Sequence, residues 1–208
     1  ATLETQILAA RSHGLDVLVR VPRGSYSDLL HPLELDASGI MVPHVMSAED
    51  ARTIARMTRF HPMGRRPLDG GNRDGAYCLL DLRTYLAEAN ANRFVIIQIE
   101  DPEPLAELDE IAAVPGLDML LFGPGDFSHA IGAPGEWNHP RLLDARRRVA
   151  EAARRHGKFA GTVGMPTPQL LEMGYRFFNI GADVHAIAEY GRQKLEEFRR
   201  ITATLSPS

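Results

Sequence analysis

Six short apolar runs, at residues 17–21, 40–42, 94–99, 119–122, 159–163 and 177–180, carry no polar alternation. A strand with one face in water alternates polar and apolar side chains, whereas a strand covered on both faces reads as a continuous apolar run. Helical patterns lie between or after most of these runs. Ser47-Ala-Glu-Asp50 is a capping-box signature that opens a helix ending near Arg59. Residues 139–156 place Leu142, Ala145, Val149 and Ala153 on one stripe, with Gly157 as the stop. Thr167-Pro168 starts another helix and Gly174 ends it. Ile187, Gly191, Leu195, Phe198 and Leu205 stripe a last, longer helix. Doubly covered strands alternating with helices predict an α/β fold on a parallel sheet.

The strand ends decide between an open sheet and a barrel. Polar residues follow several different strands: Arg20, His44, Gln98 with Glu100, Asp126 and Asp183. A (β/α)8 TIM barrel gathers its strand ends around one mouth, where its active site lies. A dinucleotide-binding sheet would need G-x-G-x-x-G after an early strand, and the chain has none. The barrel is preferred, with six strands in place of eight and 208 residues where about 250 is typical. Residues 2–12 already read as a helix, as though two strands of the barrel preceded it. The expectation is one barrel domain over 1–208, lacking its first two strands, with an upstream segment of roughly 40–50 residues to supply them.

Composition narrows the partners. The chain is 44% hydrophobic with no apolar run near the roughly 20 residues of a membrane span. Its start has neither the basic residues nor the apolar core of a signal peptide. One cysteine, Cys78, excludes an internal disulfide and a cysteine-based metal site, and suits a reducing, cytoplasmic setting. A net charge of -4 gives no general affinity for nucleic acid. The basic run Arg146, Arg147, Arg148, Arg154 and Arg155, interleaved with Asp144 and Glu151, reads as a solvated helix face.

Glu100 closes one strand and Asp126 follows the next, so neighbouring strands of a barrel bring both carboxylates to one rim. Paired carboxylates with positions left for water and substrate oxygens suit a hard divalent cation, Mg²⁺, Mn²⁺ or Co²⁺. The bland alternative makes Asp126 a helix cap and Glu100 a solvated loop acid. Gly123-Pro124-Gly125-Asp126 favours the first reading, because its glycines let backbone N–H groups converge on an anion such as a carboxylate. A cation beside an anion nest suits a 2-oxo acid. In 61-HPMGRRPLDGGNRDG-75, a long glycine-rich loop, Arg65 or Arg66 could stabilise an enolate or pair with a surface acid. His44 is a candidate acid/base or substrate contact, with a hydrogen-bonded structural role as the alternative. Asp183 reads as a rim acid or a cap. Lys158 and Lys194 are expected on helices, away from strand ends, which disfavours Schiff-base chemistry.

GIMVPHVMSAEDAR, Gly64-Arg65-Arg66, VIIQIE, LLFGPGDFS and FFNIGADV, in this order, resemble the HpcH/HpaI family of metal-dependent (class II) pyruvate aldolases. The likeness runs from about residue 2 to about residue 200. It implies a (β/α)8 barrel that exchanges its last helix with a neighbour, in a hexamer built as a trimer of dimers. By position it implies Glu100 and Asp126 as metal ligands and Arg66 as the enolate-stabilising arginine. Gly125 and Asp126 would offer N–H groups to the pyruvate carboxylate, with Gln98 hydrogen-bonding near the metal. Members carry two further strands ahead of Thr2, the second ending in an acid and a histidine usually assigned the acid/base role, and no residue of this sequence matches that histidine.

The expected activity is reversible cleavage of a 4-hydroxy-2-oxo acid to pyruvate and an aldehyde through a metal-stabilised enolate. The rivals are oxaloacetate decarboxylation or acyl-CoA ester cleavage at the same kind of site, and a non-catalytic metal-binding or assembly subunit.

Overall fold

Each of the six apolar runs is a strand in the computed structural model, which describes residues 2–203. They are β1 (Leu18–Arg20), β2 (Gly39–Val42), β3 (Phe94–Ile99), β4 (Met119–Phe122), β5 (Phe159–Val163) and β6 (Tyr175–Asn179). Every strand pairs in parallel with the next in sequence, giving the order β1-β2-β3-β4-β5-β6. Such an order requires each connection to pass over the same face, so the helices form one outer layer.

Alternate residues divide between two cores. Ile40, Val42, Val95, Ile97, Leu120 and Phe122 face outward into the large cluster shared with the helices. Ile96, Met119 and Leu121 face inward, and Leu18 of β1, Met41 of β2 and Phe177 of β6 pack against that same small group. Side chains from the first and last strands reach one shared group only if the sheet curls on itself, as a barrel wall does. A Cβ on Gly161 would lie 2.9 Å from Met119 Sδ, so glycine there lets the inner face close.

The helices are α1 (Leu3–Ser12), α2 (Tyr26–Glu34), α3 (Ala48–Thr58), α4 (Leu82–Asn92), α5 (Leu108–Ala113), α6 (Pro124–Ala130), α7 (Pro140–Arg155), α8 (Pro168–Met173) and α9 (Asp183–Ala203). Ser47 caps α3 by accepting from the Asp50 N–H, and Thr167 caps α8 in the same way. Gly174 ends α8 in the left-handed region at φ 105°. All four stripe residues of α7, Leu142, Ala145, Val149 and Ala153, are buried. Its basic face is not wholly solvated: Arg147 and Arg155 pair with surface acids, but the Arg146 guanidinium lies over the Phe122 ring. In α9 no residue is buried, and Ile187, Leu195 and Phe198 of the expected stripe stand exposed; Leu205 lies outside the described residues. None of the described helices is long and apolar enough to cross a membrane.

Arg59 ties together the rim where strands begin. Its side chain is 2% exposed. It donates to the carbonyls of Gly116 at 2.7 Å, Asn90 at 2.9 Å and Arg93 at 2.7 Å, and to the Asp118 carboxylate. Those acceptors precede β3 and β4, so a single guanidinium satisfies three carbonyls on two chain segments that would otherwise bury them unpaired.

Candidate active site

The opposite rim, where strands end, holds the polar residues. Leu18 points inward on β1, so Arg20 two residues on does too, and Gln98 shares that face with Ile96 on β3. Period-two alternation thereby delivers both side chains to the mouth of the curled sheet. Arg20 Nε donates to Gln98 Oε1 at 3.4 Å, and Gln98 Nε2 donates to Glu100 Oε2. Arg20 Nη2 lies 3.7 Å from Glu100 Oε1. Gln98 thus links the guanidinium to the carboxylate and fixes the orientation of both.

Glu100 has no solvent exposure, which excludes the solvated-loop alternative. It also accepts the His44 backbone N–H at 3.0 Å. Burial raises its pKa above the ordinary carboxylate range; the His44 N–H and the charges of His44 and Arg20 act against that rise, while Asp126 adds to it. A buried acid with a second acid nearby is a charge arrangement that a cation relieves.

Asp126 stands in the first turn of α6, exposed, while Gly123 occupies the cap position without a side-chain bond. Asp126 is therefore not a capping residue. Its carboxylate, that of Glu100 and the His44 imidazole each offer a donor atom, and these atoms lie within 4.8 Å of one another. Gly123 makes the approach possible: a Cβ there would sit 2.8 Å from Gln98 Nε2, Glu100 Cβ and Glu100 Oε2. Gly125, beside it, has open space where a Cβ would be. Two oxygen donors and one nitrogen donor in this compass fit a divalent cation.

His44 follows β2 with φ 49°, a left-handed conformation in which histidine is among the more tolerated residues. Its Nδ1 lies 2.8 Å from Asp101 Oδ2, and this hydrogen bond raises the imidazole pKa against the effect of burial.

The structure brings together His44, Gln98, Glu100, Gly125 and Asp126, but not Arg66. That side chain is 2% exposed and bonds to Asp74 Oδ2 at 2.6 Å and Tyr85 Oη at 3.3 Å, with its guanidinium over the Phe60 ring. Its backbone N–H donates to the Arg59 carbonyl, which tethers it to the other rim. Arg66, expected as the enolate-stabilising arginine, lies apart from this group, where it staples the segment after α3, and Arg20 is the arginine at the mouth. Asp183 stands in the first turn of α9 and accepts from the Val184 N–H. Lys158 sits in the turn before β5 rather than on a helix, with Nζ bonded to the Leu117 carbonyl at 2.8 Å. The inward alternation of Leu18 and Arg20 is the signal that would have pointed to Arg20.

A family model described as HpcH/HpaI aldolase/citrate lyase matches residues 1–189. The chain belongs to that family. Among HpcH/HpaI relatives, it is 32% identical over 205 residues to a hydroxypyruvate/pyruvate aldolase of Paraburkholderia phytofirmans, covering 95% of this chain and 78% of the relative. A 2-dehydro-3,6-dideoxy-6-sulfogluconate aldolase of Pseudomonas putida is 35% identical over 186 residues, covering 85% and 69%. The crystal structure of an HpcH/HpaI aldolase from Desulfitobacterium hafniense superposes with a TM-score of 0.87 at 27% identity, over 95% of this chain and 77% of that one.

Proposed function

We propose that the protein is a class II pyruvate aldolase that reversibly cleaves 4-hydroxy-2-oxo acids to pyruvate and an aldehyde. The observation that carries this reading is Glu100, a buried carboxylate held by Gln98 and the His44 N–H within reach of Asp126. Glu100 and Asp126 would hold a divalent cation, Mg²⁺, Mn²⁺ or Co²⁺. When bound, it supplies positive charge where the carboxylate and 2-oxo oxygens of the substrate gather.

The backbone N–H groups of Gly125 and Asp126 bind the substrate carboxylate at the start of α6. A base on the rim takes the proton of the C4 hydroxyl, the C3–C4 bond breaks, and the aldehyde leaves. The bonding pair moves between C3 and C2, and negative charge develops on the C2 oxygen. Arg20, oriented by Gln98, donates to that oxygen, and protonation at C3 then yields pyruvate. His44 Nδ1 is committed to Asp101, so only Nε2 is left for a proton or an ion.

Pyruvate release from a 4-hydroxy-2-oxo acid, coupled to NADH oxidation by lactate dehydrogenase, tests the reading. A chelator abolishes release and Mg²⁺, Mn²⁺ or Co²⁺ restores it. An adduct trapped by borohydride with pyruvate, together with indifference to chelator, would refute it. Of the chain's two lysines, Lys158 is bonded at the far rim and Lys194 lies on exposed α9.

The proposal extends to a cytoplasmic homo-oligomer, a hexamer arranged as a trimer of dimers with α9 exchanged between subunits. Support comes from α9 itself, where Val184, Ile187, Tyr190 and Phe198 are each more than 60% exposed. Light scattering at the mass of six chains is the expected result.

A further inference from the structure

His44 occupies a backbone conformation that a side chain with a Cβ rarely adopts, at φ 49°. Two bonds hold it there: its N–H donates to Glu100 Oε1 at 3.0 Å, and its Nδ1 meets Asp101 Oδ2 at 2.8 Å. A carboxylate only accepts, so Nδ1 carries the proton, and in the neutral ring Nε2 presents its lone pair. That lone pair stands beside the carboxylates, on a side chain that is 44% exposed. Nε2 lies 3.6 Å from Glu100 Oε1, in the group whose donor atoms all fall within 4.8 Å. Donors at about 2.1 Å from an octahedral ion lie about 3 Å apart, so closing around a cation takes side-chain rotation rather than backbone movement.

We infer that His44 is a third protein ligand of this site, coordinating through Nε2 with Asp101 as its positioning residue. The resulting set of one nitrogen and two oxygens favours a transition ion such as Co²⁺ over Mg²⁺. The inference rests on the reading of Glu100 and Asp126 as ligands given above and adds to it the ion that the site selects. Imidazole suits transition ions, whereas Mg²⁺ is held by oxygens and retained water. A carboxylate behind a ligating histidine fixes the tautomer and the ring plane, and Asp101 stands in that place. Because Nε2 then donates its lone pair to the ion, His44 is not the base that takes the C4 hydroxyl proton.

The test uses the metal-stripped protein reloaded with Mn²⁺, with nitrogen couplings read by pulsed EPR. Calorimetry gives the Co²⁺ and Mg²⁺ affinities of wild type, His44→Asn and Asp101→Asn. Asparagine tolerates the left-handed conformation but is too short to present a ring nitrogen. Expected are a directly coordinated ¹⁴N in wild type that vanishes in His44→Asn, and a fall in Co²⁺ affinity of about 10–100-fold in Asp101→Asn. The preference for Co²⁺ over Mg²⁺ narrows in both variants. Bound Mn²⁺ without coordinated ¹⁴N in wild type overturns the inference, as does a ¹⁴N signal that persists in His44→Asn. Either result leaves Glu100 and Asp126 as ligands. Mn²⁺ affinity unchanged in Glu100→Gln would overturn that underlying reading instead.

Discussion

Replacing Gly123 by alanine is the smallest change that should disable the mouth of the sheet. Gly123 has φ -98°, so alanine meets no backbone penalty there, and the whole effect comes from one methyl group. That methyl would stand 2.8 Å from three atoms of Gln98 and Glu100, about 0.6 Å short of the 3.4 Å at which ordinary contact begins. Two of those atoms are side-chain ends, but Glu100 Cβ moves only with its backbone, and both residues are buried. Overpacking of this kind costs about 1–3 kcal/mol, or a fall in melting temperature of roughly 2–12 °C at this chain length. Pushing Gln98 off Glu100 removes a supporting partner of a ligand, which lowers metal affinity about 10–100-fold. Gly125→Ala is the control, because a Cβ there meets nothing within 4 Å. Its melting temperature and Mn²⁺ affinity should match wild type. Calorimetric titration with Mn²⁺ and a thermal melt of both variants decide the matter. Wild-type Mn²⁺ affinity in Gly123→Ala would mean that Glu100 does not need its present position to bind the ion.

Arg20→Ala should lower kcat about 10²–10³-fold, the scale for removing one stabiliser of developing negative charge. Cation affinity should hold or rise slightly, since a positive group 3.7 Å from Glu100 has gone; a loss of Mn²⁺ binding would count against the assignment. Arg66→Ala should act on stability, because it strands Asp74, whose side chain has no exposure. Breaking such a buried pair costs about 3–5 kcal/mol, and a melting temperature equal to wild type would contradict it. The raised pKa of Glu100 sets a pH dependence for the metal-free protein. A group whose pKa is higher folded than unfolded contributes its stability at low pH and loses it as pH rises through the folded value. Chelated Glu100→Gln should therefore melt above wild type at neutral pH, with the gap closing as pH falls toward the ordinary carboxylate value of about 4.3. A gap that widens on acidification would reverse the sign.

The strands were legible because burial on both faces forces aliphatic runs, and β3, β4 and β5 begin and end where those runs do. β6 starts two residues earlier than its run, at Tyr175, because Tyr175 pairs with Ala160 and a register shift between Ala160 and Gly161 leaves Arg176 as the extra residue. The helix α2 escaped notice: Pro32 sits inside it, and its start is marked by Ser25 and Asp28 within a stretch that otherwise reads as turn. The segment expected as one long loop before β3 contains α4, anchored by the buried Arg66, Asp74 and Tyr85. The carboxylates of the site were readable from strand ends alone. The place of Arg20 at the mouth was not, because the alternation that turns it inward spans only three residues of β1. The bond between His44 and Asp101 joins residues 57 apart and leaves no local trace in the sequence.

The clasp that Arg59 makes on Gly116, Asn90, Arg93 and Asp118 lies at the end of the sheet away from Glu100. Division of labour between the two ends is a resource for laboratory evolution. A library confined to exposed positions at the mouth other than His44, Gly125 and Asp126 leaves every bond of that clasp intact, so its members can differ in which aldehyde they accept while sharing one folding problem. Changes at Arg59 would do the reverse, reducing the yield of every variant without altering what any of them recognises.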